Sequence, residues 1–523
     1  MGVINIKTYG RTTIYANYTE KQLLTGTQEQ IEKKVIDIMK SAIPIHEMNR
    51  SETKYLWEYY SGKQDIYTEK QKLTRTDIDN RTVENWAYAF IDFKKAYLLG
   101  KPIQYVQNDS KSTEEIAILN KFVKFENKKS KDMDLYEDIL VNGRGFRYTA
   151  SDKTEEEDEA PFELINCSPE DTEVVYSSKL GNEQLLSFIE TSMQHLVQTV
   201  NPETGETEYV PRYYSEYTIY LKKNSLVLTN KSGQLEVVKG SWKPVLVEEH
   251  TITEYYVNRK RISLIEIGKD LFNDINYLES LDKDDMEAYV NNLLVFINCE
   301  ATEDDLKDMA ELGAVNIVSH DQKRASIESI QQRLSSDDTQ TYYTRLLTSL
   351  HQILGVPMAS NMGNIESGDT GKAQLTGQGY TSATIRIEND ETKFGDCDKN
   401  CLKAILKICK NNNKSGIKNL RVSEIDSKFQ RDVSDNLLVK TQGLMNLLES
   451  KIPKEYALSI VNLFSDVEAV VKQMKVEEKE REQKQEEFMK NKDSQFNNIG
   501  EKNKANAQNN KIQNVTQKQN QGQ

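Results

Sequence analysis

The sequence predicts an α+β protein that is mostly helical and ends in a disordered C-terminal tail. Three observations support this class. Apolar residues recur every three or four positions over several long stretches, as they do on one face of a helix. Short runs with strand character occupy residues 143–247, separated by glycine, asparagine and proline. Residues 491–523 are about half Asn and Gln, and such a segment buries too little apolar surface to offset the chain entropy lost on folding.

The N-terminal part is predicted to be helical. Residues 20–60 carry an apolar stripe, and the stripe comprises Ile31, Val35, Ile36, Ile38 and Met39. A second helix follows Thr82 and ends at Gly100 and Pro102, because glycine and proline terminate helices. The apolar face of this helix comprises Val83, Trp86, Ala87, Phe90, Phe93, Tyr97 and Leu98. A third helix is predicted from Thr113 to Phe125, with Ser112 as its N-cap.

Residues 143–247 are predicted to form a small, mostly antiparallel sheet. Phe146–Thr149 and Phe162–Ile165 flank an acidic loop at 152–159, and we expect them to pair as a hairpin. Further strands are predicted at 174–176, 185–189, 213–221 and 235–238.

Helices return after the sheet region. Three- and four-residue apolar steps run from Leu264 to Leu294, and a second helix spans about 339–354 and ends at Gly355. Residues 358–371 are too small and polar to build a core and are predicted to form a mobile loop. A long helical segment follows to about residue 410, with a kink predicted at Gly377 and Gly379. A strand at 421–430 and helical residues 434–490 complete the prediction.

The composition excludes several classes of protein. No run of about 18 apolar residues occurs, so no membrane span is predicted, and the N-terminus lacks a secretory signal. Five scattered cysteines favour a reducing cytoplasm over a disulfide framework. The formal net charge of −14 disfavours a protein that grips nucleic acid through phosphate contacts, although it allows one that lets DNA pass.

No catalytic, metal or cofactor site is predicted. Gly371-Lys372 is the best candidate for a phosphate-binding loop, but the glycine and the hydroxyl residue of that motif are replaced by Glu366 and Ala373. One face of the long helix carries Cys397, Cys401 and Cys409. A zinc site would need a fourth ligand and another local geometry, so we expect buried thiols that pack like small apolar side chains. The five histidines share no triad or metal spacing.

The helix that begins at Leu264 has a marked excess of negative charge. Its acidic residues are Glu266, Asp270, Asp274, Glu279, Asp282, Asp284, Asp285 and Glu287. Only Lys269 and Lys283 oppose them before Ala288. A solvated helix face is the ordinary interpretation. The alternative applies if the chain forms a ring, because the same face then repeats around an enclosed axis.

Two stretches resemble the portal protein family of long-tailed bacteriophages (siphovirus type). Tyr59–Ile66 matches the family pattern YY-x-G-x-x-x-I, and Ile91–Val106 contains F-K-x-x-Y-L-x-G-K-P-I-x-Y. They occur in the family's order, with a polar connector between them. Asn166–Glu170 and the following Val174-Val175-Tyr176 are similar to a third family segment, although Cys-Ser replaces the usual Asp before Pro169. The resemblance covers roughly residues 50–475.

The resemblance implies a fold with wing, stem, clip and crown regions. It assigns 1–261 to an N-terminal arm and wing, 262–294 to a first stem helix, 295–335 to the clip and 336–355 to a second stem helix. Residues 356–371 would form the tunnel loop, 372–419 the long kinked wing helix, 420–475 the crown and 476–523 the disordered tail.

The same resemblance implies a structural, non-enzymatic protein of the virion. Twelve copies would form a ring at one capsid vertex, through which double-stranded DNA is packaged and ejected without sequence preference. Expected partners are further copies of the chain, the large terminase subunit, a head-completion or connector protein, and the major capsid and scaffold proteins. No cofactor or membrane is expected, and the subunit would be made and assembled in the bacterial host cytoplasm.

Candidate site residues follow from these assignments. The tunnel loop would place in the channel Asn361, Asn364, Glu366, Ser367, Asp369 and Lys372. Glu266, Asp270 and Asp274 are hypothesised to face the channel from the stem. The clip would dock its partners through Glu303, Asp304, Asp305 and Asp308. A minor head or scaffold-associated protein without a channel is the alternative. An enzyme acting on DNA is disfavoured because no phosphate loop or metal-binding carboxylate cluster occurs.

Overall fold

A computed structural model describes most of the chain up to residue 484. The described residues are 9–72, 76–107, 113–151, 159–200, 207–231, 233–290, 293–297, 326–330, 336–358, 380–430, 437–450, 452–461, 470–471 and 473–484. The chain divides into two compact units. The larger contains residues 1–105 and 114–432, and the smaller contains 106–113 and 433–523.

The helices account for the predicted helical character. They are α1 (Glu20–Leu24), α2 (Gln28–Tyr60), α3 (Ile66–Glu69), α4 (Trp86–Leu99), α5 (Thr113–Phe125), α6 (Lys128–Asn142), α7 (Leu264–Val290), α8 (Ser336–Leu354), α9 (Tyr380–Asn411), α10 (Leu437–Glu449) and α11 (Lys454–Val461). Residues 473–484 are also helical.

The strands are mostly antiparallel, as predicted. They are β1 (Ile14–Ala16), β2 (Gln104–Gln107), β3 (Gly145–Ser151), β4 (Phe162–Cys167), β5 (Thr172–Ser177), β6 (Gln184–Val200), β7 (Thr207–Tyr220), β8 (Asn224–Lys231), β9 (Gln234–Val237), β10 (Lys243–Pro244), β11 (Ile252–Tyr255), β12 (Leu293–Ile297), β13 (Ser326–Ile330) and β14 (Ile425–Lys428). The α+β class is therefore confirmed.

The largest sheet in the described part of the chain packs against α2. Its order is β1-β5-β6-β7-β8-β10, with β9 on β8, and only β1 pairs in parallel. The apolar stripe of α2 contacts buried residues of β6, β7 and β8, among them Phe188 and Ile219. The apolar stripe predicted helix over residues 20–60, whereas the chain breaks between α1 and α2. Gly26 lies at φ +125°, and Thr27 with Gln30 forms a capping box that starts α2.

A smaller sheet lies beside α6. It has the order β11-β3-β4, and the predicted hairpin of β3 and β4 is confirmed. Helix α6 was not predicted and ends at Gly143, which adopts φ +84°. A Cβ at Gly143 would lie 1.9 Å from the carbonyl oxygen of Arg261, so only glycine fits this close backbone approach.

The predicted stem helix 262–294 is shorter in the structure. Helix α7 ends at Val290, and Leu293–Ile297 form β12, paired with the antiparallel strand β13. The five residues of β12 are apolar and include valine, isoleucine and phenylalanine, which favour a strand over a helix. The second predicted helix begins at Ser336 and ends at Leu354, where Gly355 takes φ +69°.

The long helix ends before the C-terminal limit of its predicted range of 372–419. Helix α9 is described over Tyr380–Asn411, and residues 372–379, with the predicted kink at Gly377 and Gly379, lie outside the described residues. The cysteines of its apolar face are buried, as predicted: Cys397, Cys401 and Cys409. The predicted strand at 421–430 is confirmed as β14.

The helical character predicted for residues 434–490 is found in the described part of the smaller unit, as helices α10 and α11 and the helical residues 473–484. Helices α10 and α11 pack together and are separated at Pro453, which cannot donate a backbone hydrogen bond within a helix. The side chains of 473–484 are exposed.

Candidate functional site

Helices α7 and α8 pack side by side and run antiparallel. Leu350 of α8 lies beside Gly268 of α7, since a Cβ at Gly268 would be 3.3 Å from its Cδ2 atom. Further along the pair, Tyr343 lies within electrostatic reach of Glu279. The buried faces include Phe272 and Ile275 on α7 and Leu346 and Leu350 on α8. This helix pair contains the acidic stretch that the sequence singled out.

Glu266 belongs to the structure that starts α7. Its backbone NH donates to Oγ of Ser263 at 3.0 Å, and its Oε2 accepts from the backbone NH of Ser263 at 2.7 Å. This is a capping box. Its other carboxylate oxygen accepts from the backbone NH of Gly10 at 2.9 Å and from the guanidinium of Arg11. These contacts saturate Glu266, so it is not free to present its charge to a passing ligand.

The motif Tyr59–Ile66 holds the first half of α7. The hydroxyl of Tyr59 donates to Asn273 at 2.8 Å, and the ammonium of Lys269 lies 2.9 Å from the carboxylate of Asp65. Burial acts to raise the pKa of Asp65, but hydrogen bonds from Tyr55, Lys269 and Asn273 lower it. A motif recognised in the sequence by resemblance therefore has a physical role as the anchor of this helix.

Asp284 anchors the second half of α7. Its Oδ2 accepts from Lys70 and from Lys72, both at 2.8 Å, and its Oδ1 accepts from the backbone NH of Asn80 at 2.7 Å. Burial acts to raise the pKa of Asp284, yet these hydrogen bonds lower it to about 2. Its carboxylate is charged and committed to internal contacts, which the residue spacing along α7 did not reveal.

Asp270 and Asp274 are the two predicted stem acids that stay exposed. They lie four residues apart on one face of α7, and Ile267 and Tyr277 share that face. Partial burial and the negative charge of Asp270 raise the pKa of Asp274. This face is therefore both acidic and apolar.

The other predicted site residues lie outside the described part of the chain. They are the tunnel-loop residues Asn361, Asn364, Glu366, Ser367, Asp369 and Lys372, and the clip acids Glu303, Asp304, Asp305 and Asp308. Their roles stay predictions.

A buried ionic cluster joins α6, β3 and α9. Arg147, which is fully buried, donates to Asp132 at 2.6 Å, and Lys128 pairs with both Asp132 at 2.8 Å and Asp398 at 3.3 Å. Two tyrosine hydroxyls also donate to Asp398, those of Tyr105 and Tyr255. Burial raises the pKa of both tyrosines, and the charge of Asp398 raises it further. These tyrosines stay protonated and the charged groups of the cluster pair with one another, so we assign it a structural role.

The described residues contain no group of three or more His, Cys, Asp and Glu side chains placed to hold a metal ion. Among the same residues, no helix has both the length and the apolar character needed to cross a membrane.

Comparison with known proteins identifies the family. The family model described as "Phage portal protein, SPP1 Gp6-like" matches residues 40–484, which include α7, α8 and the segments that anchor them. No curated protein matches the chain. A chain of the solved structure titled "Neck of empty GTA particle computed with C6 symmetry" is similar to 77% of this chain over 95% of its own length, with 10% sequence identity and a TM-score of 0.39.

The chain belongs to the SPP1 Gp6-like family of phage portal proteins, because the family model covers most of its length. Members of this family are structural components of the phage capsid that assemble as oligomeric rings. The resemblance noted on the two N-terminal motifs is confirmed.

Proposed function

We propose that the chain forms a dodecameric ring at one capsid vertex and that double-stranded DNA enters and leaves the capsid through it. The observation that supports this most strongly is the family match over residues 40–484. The ring would dock the large terminase subunit during packaging and a head-completion or connector protein afterwards, through the segment 295–335. It would contact the major capsid and scaffold proteins at the vertex. Subunits would be made and assembled in the bacterial host cytoplasm.

The charge of the chain fits a conduit. Twelve copies at −14 each give a ring charge of roughly −170, and DNA carries about one negative charge per 1.7 Å of its axis. A strongly basic bore would hold DNA through released counterions, whereas an acidic or weakly polar bore lets it slide. The loop 356–371 would line the narrowest part of the passage.

The placement of the stem acids follows from their contacts. Glu266 is held in the capping box of α7, so the hypothesis that it faces the passage is not favoured. Asp270 and Asp274 are exposed, and that exposure is compatible with two placements. They would border either the passage or a neighbouring copy of the chain.

Electron microscopy of the purified full-length protein tests the proposal. We expect a hollow ring of about twelve copies, with a particle mass from analytical ultracentrifugation that agrees with it. A compact particle without a central hole, or a monomer at all concentrations, would refute the conduit and favour a minor head protein. Hydrolysis of nucleotide or cleavage of DNA by the purified chain would contradict the non-enzymatic role.

A further inference from the structure

The exposed face of α7 carries large apolar side chains as well as acids. Ile267 is 51% exposed and Tyr277 is 45% exposed. Together with Asp270 and Asp274 they occupy positions i, i+3, i+7 and i+10, so they form one stripe along the helix. Exposed isoleucine and tyrosine side chains do not help DNA to slide along the channel surface. Contact with another protein surface stabilises them, because it removes these side chains from water.

The exposed face of α8 has the complementary character. Tyr342 is 43% exposed and Ile353 is 48% exposed, and the exposed Arg345 lies between them in sequence. Tyr342, Arg345 and Ile353 are spaced at i, i+3 and i+11, again one face of the helix. Within the described residues, Arg345 makes no ion pair with a carboxylate, and neither do Asp270 and Asp274.

The exposed stripes of α7 and α8 have corresponding residues at the same positions along the axis of the helix pair. Because Gly268 lies beside Leu350 and Glu279 lies near Tyr343, the antiparallel register places Ile267 level with Ile353. By the same register Asp274 is level with Arg345 and Tyr277 is level with Tyr342. The match holds to within about one helical turn, or about 5 Å.

Neither exposed stripe lies on the face where α7 and α8 pack against each other. Leu350 of α8 lies beside Gly268 of α7, and the buried Phe272 and Ile275 follow Gly268 on the same face of α7, at i+4 and i+7. The buried Leu346 lies one turn from Leu350 on the same face of α8. The 3.6-residue period then turns the two exposed stripes away from this shared interface. One copy cannot bring its own stripes together.

We propose that the stripe of Ile267, Asp270, Asp274 and Tyr277 on one copy contacts the stripe of Tyr342, Arg345 and Ile353 on the next copy. Rotation about a ring axis keeps every residue at its own height, so the apolar, charged and apolar levels of both stripes coincide when the helix pair runs along that axis. Contact between two different surfaces of identical chains closes into a ring when the rotation permits. This inference rests on the proposed ring and assigns Asp270 and Asp274 to the contact between copies instead of the passage.

Charge exchange tests the contact. In the full-length protein, Asp274→Arg or Arg345→Asp should weaken association about tenfold or more, because each places like charges opposite one another. The double variant Asp274→Arg with Arg345→Asp should recover ring assembly, measured as ring fraction against concentration by analytical ultracentrifugation. Asp282→Arg on the same helix, off the stripe, is the matched control. Unchanged assembly of the single variants, or no recovery in the double variant while its circular dichroism matches the wild type, would overturn the inference.

A cross-linking experiment gives an independent answer. A variant carrying Asp274→Cys and Arg345→Cys should form disulfides between copies on mild oxidation, seen as a ladder of oligomers on a non-reducing gel. Each single cysteine variant should give no ladder beyond a dimer. Wild-type rings together with no ladder in the double variant would refute the contact and leave the conduit intact. Absence of rings in the wild type would instead refute the proposed function.

Discussion

Replacing Glu173 by Gln should destabilise the packing of α2 on the large sheet. Glu173, on β5, is buried and accepts from both terminal nitrogens of Arg144, at 2.7 and 2.6 Å. Asn49 of α2 also donates to it at 3.0 Å, and a ring nitrogen of His46 lies 3.6 Å away. The amide of glutamine cannot accept two charged donors in this way, so the substitution leaves the buried guanidinium of Arg144 without its counter-charge.

The size of the effect follows from the pKa of Glu173. Burial acts to raise that pKa, but the charges of Arg144 and His46 and the hydrogen bonds from Arg144 lower it from 4.5 to about 2. A difference of that size corresponds to about 3 kcal/mol in favour of the folded, ionised state. Removing one partner of a buried ion pair costs about 3–5 kcal/mol in other proteins. We therefore expect Glu173→Gln to lower the free energy of unfolding by about 3 kcal/mol at pH 7.

The pH dependence has a defined sign. Because the folded-state pKa of Glu173 is lowered, its stabilisation is complete above pH 4.5 and is lost as the pH falls toward 2. The glutamine variant has no such titration. The difference in free energy of unfolding between the wild type and the Glu173→Gln variant should therefore decrease by about 2 kcal/mol from pH 7 to pH 3.

Urea unfolding at fixed protein concentration, followed by tryptophan fluorescence at several pH values, measures both effects. Glu163→Gln, at an exposed position of β4, is the matched control and should change stability by no more than about 0.5 kcal/mol. A loss below about 1 kcal/mol for Glu173→Gln, or a gap that does not narrow in acid, would refute the reasoning.

Three further predictions concern the anchor of α7, a glycine and the buried thiols. Asp284→Asn should loosen the second half of α7 by about 2 kcal/mol, allowing for screening near the surface, and speed amide exchange there; unchanged exchange would contradict the anchor. Gly143→Ala should cost more than about 3 kcal/mol, because its Cβ would overlap backbone, whereas Gly233→Ala, at φ +86° with open space, should cost about 1 kcal/mol in thermal unfolding. Equal losses of stability in the two alanine variants would contradict an overlap of the Gly143 Cβ with the backbone. Cys401 and Cys409, whose pKa values are raised by burial, should resist iodoacetamide until the protein unfolds, as peptide mass spectrometry would show; labelling in the folded state would contradict this.

Local patterns in the sequence were sufficient to predict whether most elements are helices or strands. The predicted bounds of α5 agree with the structure at both ends, and the β3–β4 hairpin pairs as expected. The strand β12 was missed because a five-residue apolar run continues the helical pattern as well as it begins a strand. Helix α6 was missed because its buried residues include Lys128 and Asp132, which interrupt the apolar stripe that the prediction relies on.

The sequence by itself determined the class of fold and the family. Element type depends on the period of apolar residues, and the family resemblance rested on two short motifs near the N-terminus. Both are properties of contiguous residues, so no distant contact is needed to recognise them.

Only the tertiary structure decided which acids of α7 are free. Glu266 and Asp284 are held by residues about 200 to 260 positions earlier in the chain, while Asp270 and Asp274 stay exposed. All four are ordinary carboxylates on one helix, and their spacing does not distinguish them. The role of a charged side chain depends on the partners that folding brings to it, because a carboxylate paired inside the protein no longer offers its charge to another molecule.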